Sequence, residues 1–351
     1  SVNCSATVCK NIAESFNKDN LSDYENVDGI VPITHGTGCG INSKGLGWEL
    51  LQATIDGYSR HPNFGGLIVI GLGCEVNQVN GMAQSMSWAD SDTFKMMTIQ
   101  EIGGTRKTIE EGIDLVKQML PIINKDKREK CPASEIILGL ECGGSDAYSG
   151  MTANPALGSA VDLLVRNGGT GTLAETPEIF GAEHLLTRRA INKEVGIKII
   201  NFIKWWQQDY LPKFEENINQ LHQDPSPGNK AGGLTTILEK SLGAVAKGGT
   251  TNLVDVYQYA ESIKAKGFTF MNTPGYDVTS VTGLIAGGAN IICFTTGRGS
   301  VFGCKPAPSI KLATNDDLYK RMTEDMDVNC GKILLGESTI EEMGKEIFTL
   351  I

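Results

Sequence analysis

Four times in this chain a short apolar run stops abruptly at glycines mixed with His, Cys or carboxylates. Ile30-Val31-Pro32-Ile33 runs into Thr34-His35-Gly36-Thr37-Gly38-Cys39-Gly40, and Leu67 to Ile70 into Gly71-Leu72-Gly73-Cys74-Glu75. Ile136-Ile137-Leu138 runs into Gly139-Leu140-Glu141-Cys142-Gly143-Gly144-Ser145-Asp146, and Ile291-Ile292-Cys293-Phe294 into Thr295 to Cys304. Unbroken apolar runs read as strands buried on both faces, which belong to parallel sheets, and such sheets bind ligands beyond the carboxyl ends of their strands. The reactive residue types stand in that place.

Helical periodicity over residues 46–60, 105–121, 184–210 and 253–266 alternates with these runs in a βα rhythm, which predicts a parallel α/β fold. At 351 residues the chain exceeds the usual size of one core, and the charged, glycine-free stretch Asn124-Lys125-Asp126-Lys127-Arg128-Glu129-Lys130 places a boundary between residues 1–127 and 128–351. Val2 to Thr7 reads as a strand-end motif and Ile347-Phe348-Thr349-Leu350-Ile351 as a final strand, so both ends look cut. The 42 glycines punctuate strand ends rather than form a linker.

The net charge of −10 comes without a Lys/Arg cluster, which argues against nucleic acid or an anionic membrane as partner. No apolar stretch approaches a membrane span and no signal peptide is present, so the expected compartment is the cytoplasm. Nine cysteines, an odd number without CxxC pairs, fit a reducing compartment. With only four histidines, His35, His61, His184 and His222, any metal must be held largely by oxygen or sulfur.

The strand ends offer several kinds of chemistry. His35 reads as a general base or ligand and Cys39 as a ligand, against a turn-satisfied imidazole and a buried thiol. Glu75, Glu141, Asp146 and Glu175 could gather around one hard divalent cation, although helix capping also explains Asp146 and Glu178. Arg298, in Gly297-Arg298-Gly299-Ser300, can clamp a carboxylate bidentately with Ser300 beside it, and Lys305 adds a second cation or a base. Tyr276 and Asp277, after Asn272-Thr273-Pro274-Gly275, are possible proton-transfer groups, or simply a Pro-Gly turn. Lys230 lies in a glycine-rich loop that lacks P-loop spacing. Trp205-Trp206 on an amphipathic helix reads as core or interface.

Longer strings carry a family resemblance. Val31 to Gly40, Arg60-His61-Pro62-Asn63, Gly71 to Gln78, Gly139 to Asp146, Ala153 to Gly158, Thr176-Pro177-Glu178-Ile179-Phe180-Gly181-Ala182-Glu183 and Thr295 to Ser300 resemble the altronate dehydratase/galactarate dehydratase family over essentially the whole chain. The resemblance implies dehydration of a sugar acid to a 2-keto-3-deoxy acid, dependent on Fe²⁺, Mn²⁺ or another divalent cation. It implies two α/β domains with parallel Rossmann-like sheets flanked by helices. The first, 1–127, dimerises; the second, 128–351, is an atypical Rossmann variant carrying the metal and substrate site. A small β-rich N-terminal domain, normally attached or supplied as a separate subunit, is expected beside them, and a homodimer with them. The large subunit of a sulfolactate sulfo-lyase and a non-catalytic scaffold domain are the alternatives.

On this reading the metal ligands are Glu141, Asp146 and Glu175, against Cys39, Cys74 and Cys142 for an iron–sulfur centre. Substrate would meet Arg298, Ser300, Ser145 and Lys230. One of His35 or Lys305 and one of Tyr276 or Asp277 would serve as base and acid.

Overall fold

The computed structural model describes residues 1–83, 91–210 and 225–351, so His222 and the start of the 223–233 loop lie outside the described residues. The chain forms two compact units, Ser1–Lys130 and Cys131–Ile351.

In the first unit, strands β1 (Leu67–Gly71) and β2 (Phe94–Thr98) pair in parallel. Helices Ala6–Glu14 and Thr105–Ile123 close over them, burying Val8, Ile12, Ile70, Met97, Val116 and Leu120 in one core. Neither Ile30-Val31-Pro32-Ile33 nor Val2 to Thr7 is a strand. The first is irregular chain, since Pro32 cannot donate to a ladder, and the second begins a helix.

The second unit carries a seven-stranded, wholly parallel sheet. Its strands are β3 (Ile137–Cys142), β4 (Thr170–Leu173), β5 (Leu253–Tyr257), β6 (Gly267–Met271), β7 (Ile291–Thr296), β8 (Ser309–Ala313) and β9 (Val328–Asn329), in the order β5-β6-β4-β3-β7-β8-β9. The strand order reverses direction between β3 and β7. A crossover sends the chain to the edge at β5 before β6 returns beside β4, the departure from an ordinary Rossmann order. Phe268, Phe270, Leu138, Leu140 and Leu173 are fully buried, as both-face burial demands.

Three expectations about this unit are corrected. Residues 253–257, read as helical, form β5, because the β-branched and aromatic pairs of Leu253-Val254-Asp255-Val256-Tyr257 suit a pleat better than a helix. The 184–210 helix is broken into His184–Thr187 and Lys193–Trp205, the latter restarted by Asn192, whose side chain accepts from the Val195 N–H. The final apolar run belongs to a helix, Ile340–Leu350. Thr339 and Glu342 form a capping box at its start, and Met343, Gly344 and Ile347 recur at helical spacing on the buried face.

Helix Ile237–Ala246 ends in the turn Lys247-Gly248-Gly249, which lies against Gly158 of helix Ala153–Arg166. Asp162 accepts from the Thr250 and Thr251 N–H groups, and Arg189 donates to the Gly249 and Thr251 carbonyls, fixing this turn. A Cβ on Gly158 would stand 2.3 Å from the Ala246 carbonyl oxygen, a backbone atom that cannot swing away. Gly158→Ala is therefore expected to destabilise the protein by about 1–3 kcal/mol, measured as a lowered urea midpoint, whereas Gly303→Ala, which meets nothing within 4 Å, should not.

Candidate active site

The carboxyl ends of β3, β4 and β6 converge on a group of buried acids. Glu141 and Cys142 end β3, Glu175 follows β4, and Thr273 and Asp277 follow β6. Glu175 adopts a left-handed backbone, φ 68°, unusual for a residue with a side chain. It is held there because its N–H donates to the Thr273 hydroxyl at 2.8 Å and the Thr176 N–H donates to the Thr273 carbonyl at 3.0 Å. Thr176 and the indole N–H of buried Trp206 both donate to Asn272 Oδ1, tying the same turn to the helical layer. Trp206 is thus core.

Each of the two glutamates has one oxygen held by donors from other residues. Glu175 Oε2 accepts from Lys247 Nζ at 3.0 Å, from the Cys142 N–H at 3.1 Å and from the Cys142 thiol at 3.3 Å. Glu141 Oε2 accepts from the Ser280 hydroxyl at 2.7 Å. Glu141 Oε1 and Glu175 Oε1 are buried and, among the described residues, no N–H or hydroxyl donates to them, while the two carboxyls are hydrogen-bonded to each other through the proton that Glu141 keeps. Ligand oxygens of Glu141, Glu175 and Asp277 all lie within 4.8 Å of one another. Gly143 makes room for Asp277, since a Cβ there would stand 2.4 Å from Asp277 Oδ2.

A second triad, Cys142, Glu175 and Glu178, shares Glu175 with the first. Its charges are already met: Lys240 Nζ donates to Glu178 Oε1 at 2.9 Å, Lys247 to Glu175, and the Cys142 thiol is shared between Glu175 and Glu178. The first triad, which offers only carboxylate oxygens, is the one equipped for a hard divalent cation.

The electrostatics follow from burial. Burial, then the neighbouring Glu175, pushes the Glu141 carboxyl well above its ordinary range. Burial opposes ionisation of Glu175 as well, but the Lys247 charge, the hydrogen bonds from Glu141 and Lys247 and the Lys240 charge together outweigh it and hold that carboxyl below the ordinary range. Burial would favour a neutral amine at Lys247, yet Cys142, Glu175 and Glu141 around it raise its pKa. Burial, then Glu175, also raises Cys142 and Asp277, so the thiol stays protonated.

Beside Asp277 opens a cleft of about 590 Å³, walled by Tyr276, Asp277, Arg298, Ser300, Phe302 and Met322. Its walls come from the segments that follow β6 and β7, with Met322 beyond β8. Four of the sequence candidates thus meet in one place: Tyr276, Asp277, Arg298 and Ser300. Arg298 is exposed to the cleft and its N–H donates to the Gly144 carbonyl at 2.8 Å.

The other candidates stand elsewhere. Asp146 is buried, but Ser149, Thr314 and Asn315 donate to its carboxylate, and it joins neither triad. The Ser145 carbonyl accepts from Asn229, and Lys230 is exposed on the short helix Pro227–Ala231. Lys305 is exposed and does not wall the cleft. His35, Cys39 and Cys74 belong to the first unit. His35 Nδ1 accepts from the Thr37 N–H at 3.3 Å, and burial lowers its pKa, favouring the neutral imidazole. Cys39 and Cys74 are exposed there, while Cys142 is buried in the second unit, so neither unit alone carries the three thiols. Glu75 accepts from the Leu72 and Gly73 N–H groups and acts as a turn clasp.

Sequence reasoning missed Lys247, Lys240, Ser280 and Thr273. Lys247 had a signal: a lone cation between the apolar end of a helix and a Gly-Gly turn, Ala244-Val245-Ala246-Lys247-Gly248-Gly249, reads as a buried counter-charge.

A Rossmann-like sheet with a buried acidic triad beside an Arg-bearing cleft defines an α/β protein with a candidate site at the carboxyl ends of its strands. Residues 133–351 match the family model "D-galactarate/Altronate dehydratase, C-terminal", and residues 1–124 match "D-galactarate dehydratase/Altronate hydrolase, second domain". The chain belongs to the D-galactarate/altronate dehydratase family. It is 38% identical to the altronate dehydratase of Bacillus subtilis over 97% of this chain and 66% of that protein. It is 40% identical to the galactarate dehydratase (L-threo-forming) of Escherichia coli K12 over 85% of this chain and 57% of that protein. With the (2R)-sulfolactate sulfo-lyase subunit beta of Chromohalobacter salexigens it shares 30% identity over 93% of this chain and 82% of that protein. The chain therefore spans roughly three fifths to two thirds of the length of these dehydratases.

The raised Glu141 carboxyl gives a pH signature. Folded Glu141 keeps its proton where the unfolded chain, near pH 4.3, would lose it, so its contribution to stability is full below that pH and declines as pH rises. Glu141→Gln removes this decline. In chelator, its urea stability relative to the parent is expected to rise from pH 5 to pH 8, by at most about 1.4 kcal/mol per pH unit. A pH-independent difference would contradict the assignment.

Proposed function

We propose that the chain is the catalytic part of a metal-dependent hydro-lyase that dehydrates a sugar acid of the altronate or galactarate type to a 2-keto-3-deoxy acid. The observation that carries the reading is the buried group of Glu141, Glu175 and Asp277, with ligand oxygens within 4.8 Å of one another, beside an Arg-lined cleft. The α-proton of a hydroxy acid is too weakly acidic for an unaided side chain, and a bound divalent cation supplies the Lewis acidity that polarises the substrate carboxylate. Glu141, Glu175 and Asp277 would hold it, and all-oxygen ligation suits Fe²⁺ or Mn²⁺.

The remaining work falls to this chain's own groups. Arg298 binds a substrate carboxylate through its planar fork, and Ser300 lies beside it on the cleft wall. Of Tyr276 and Asp277, Asp277 reaches the acidic triad, which leaves Tyr276, 62% exposed on the cleft rim, to hand a proton to the departing β-hydroxyl, while the α-proton would pass to His35 or Lys305, the two bases proposed from the sequence. Lys247 and Cys142 orient Glu175 from behind, and Ser280 orients Glu141. The homodimer and the additional β-rich domain belong to this proposal too, the domain supported by the length the dehydratases have beyond this chain.

A second reading, elimination of sulfite from sulfolactate, is supported by the 30% identity to the sulfo-lyase subunit over 93% of this chain. The higher identity to the dehydratases, 35–40% against 30%, favours dehydration.

The test is keto-acid formation from altronate and galactarate by the full-length protein, purified anaerobically. Turnover should vanish on chelation and return with Fe²⁺ or Mn²⁺. Undiminished turnover after verified metal removal would contradict the metal role, and sulfite release from sulfolactate with neither sugar acid consumed would establish the second reading. Arg298→Lys keeps the charge and loses the fork, so it should cost about 1–3 kcal/mol in kcat/KM. Unchanged kinetics in that folded variant would remove Arg298 from the substrate site.

A further inference from the structure

Asp146 is the most heavily bonded acid near the cleft that the chemistry above does not use. Its Oδ1 accepts from Ser149 at 3.0 Å and from Thr314 at 2.9 Å, and its Oδ2 accepts from Asn315 Nδ2 at 3.0 Å. The same Asn315 Nδ2 reaches the Gly297 carbonyl at 3.1 Å. Gly297 is packed directly on the carboxylate: a Cβ there would stand 2.0 Å from Asp146 Cγ. The Gly297 and Arg298 N–H groups both donate to the Gly144 carbonyl, two residues before Asp146. On the other side, Ala147 donates to the Gly232 carbonyl, and Asn229 to that of Ser145. The Arg298 stem passes over Gly232, where an added Cβ would stand 3.2 Å from Arg298 Cδ.

We propose that Asp146 is a positioning residue for Arg298, a carboxylate clasp that locks the turn after β7 and the 226–233 segment around the arginine stem, so that the guanidinium is aimed into the cleft. The proposal rests on the reading that Arg298 binds a substrate carboxylate. It takes Asp146 out of the metal-ligand set and gives it a part in specificity. A carboxylate is suited to the place because it is acceptor-only on both oxygens, and all three neighbouring side chains donate. An amide at this position would turn an NH₂ toward a donor.

Three variants of the full-length protein test it. In Asp146→Asn and Thr314→Val, amide exchange at Gly297 and Arg298 should quicken by about tenfold or more, the scale of losing a charge-assisted hydrogen bond, while Glu141 and Cys142 in β3 stay protected. Thr314→Ser, which keeps the hydroxyl, should restore slow exchange. KM for altronate or galactarate should rise by about tenfold or more in the first two variants, with Mn²⁺ affinity by EPR titration within about threefold of the parent. Combined with Arg298→Lys, Asp146→Asn should add little further loss, because both act through one guanidinium. Loss of Mn²⁺ binding in Asp146→Asn, additive losses in the double variant, or unchanged exchange in Thr314→Val would each overturn the proposal. If the parent turns over neither sugar acid, the proposed function fails, and the exchange measurement still decides whether Asp146 holds the arginine turn.

Discussion

Everything at the centre of the second unit answers to one constraint, the burial of more carboxylates than ammonium groups. Glu141 and Glu175 are buried to within 1% of completely, with Glu178 and Asp277 beside them. Isolated buried charge costs several kcal/mol per ion even after relaxation, so each carboxylate must find a counter-charge, a proton or a cation. Lys247 and Lys240 meet two of them. Glu141 keeps its proton and shares it in a hydrogen bond with Glu175, and Asp277 brings a third carboxyl within 4.8 Å of both. The proposed divalent cation would take the place of the Glu141 proton, with Glu141, Glu175 and Asp277 around it.

The fold delivers these groups through the order of its strands. Since β3 stands beside both β4 and β7, its end is where turns from the two halves of the sheet meet. β3 and the turns after β4 and β6 bring the acids, and the turn after β7 brings the arginine. The left-handed conformation at Glu175 shows that this convergence is imposed against local preference, at a cost of order 1–3 kcal/mol that the Thr273 and Thr176 hydrogen bonds offset. Removing Lys247 would leave Glu175 buried without its counter-charge, which is why a lysine with no exposed surface is retained at the end of helix Ile237–Ala246.

The sequence made the parallel sheet legible because both-face burial leaves runs such as Ile291-Ile292-Cys293-Phe294 without polar interruption, and because glycines mark where such runs end. It made Glu141, Glu175, Asp277 and Arg298 legible by their place just past those ends. What stayed hidden depends on long-range pairing. Lys247 is 72 residues from Glu175 and Ser280 is 139 from Glu141, and no local pattern encodes such partners. Asp146 looked like a ligand for the same reason: its donors Thr314 and Asn315 arrive from 168 and 169 residues away. The run at residues 347–351 misled because five apolar residues do not distinguish strand from helix, and the Thr339 capping box that decides the matter lies upstream.

The most direct measurement is Mn²⁺ binding followed by EPR titration on anaerobically purified protein and on Glu175→Gln, Glu141→Gln and Cys142→Ser. The account predicts one Mn²⁺ per chain, binding weakened by about tenfold or more in each glutamate variant and little changed in Cys142→Ser, whose thiol is occupied with Glu175 and Glu178. Normal Mn²⁺ binding in both glutamate variants, with metal lost from Cys142→Ser, would contradict it.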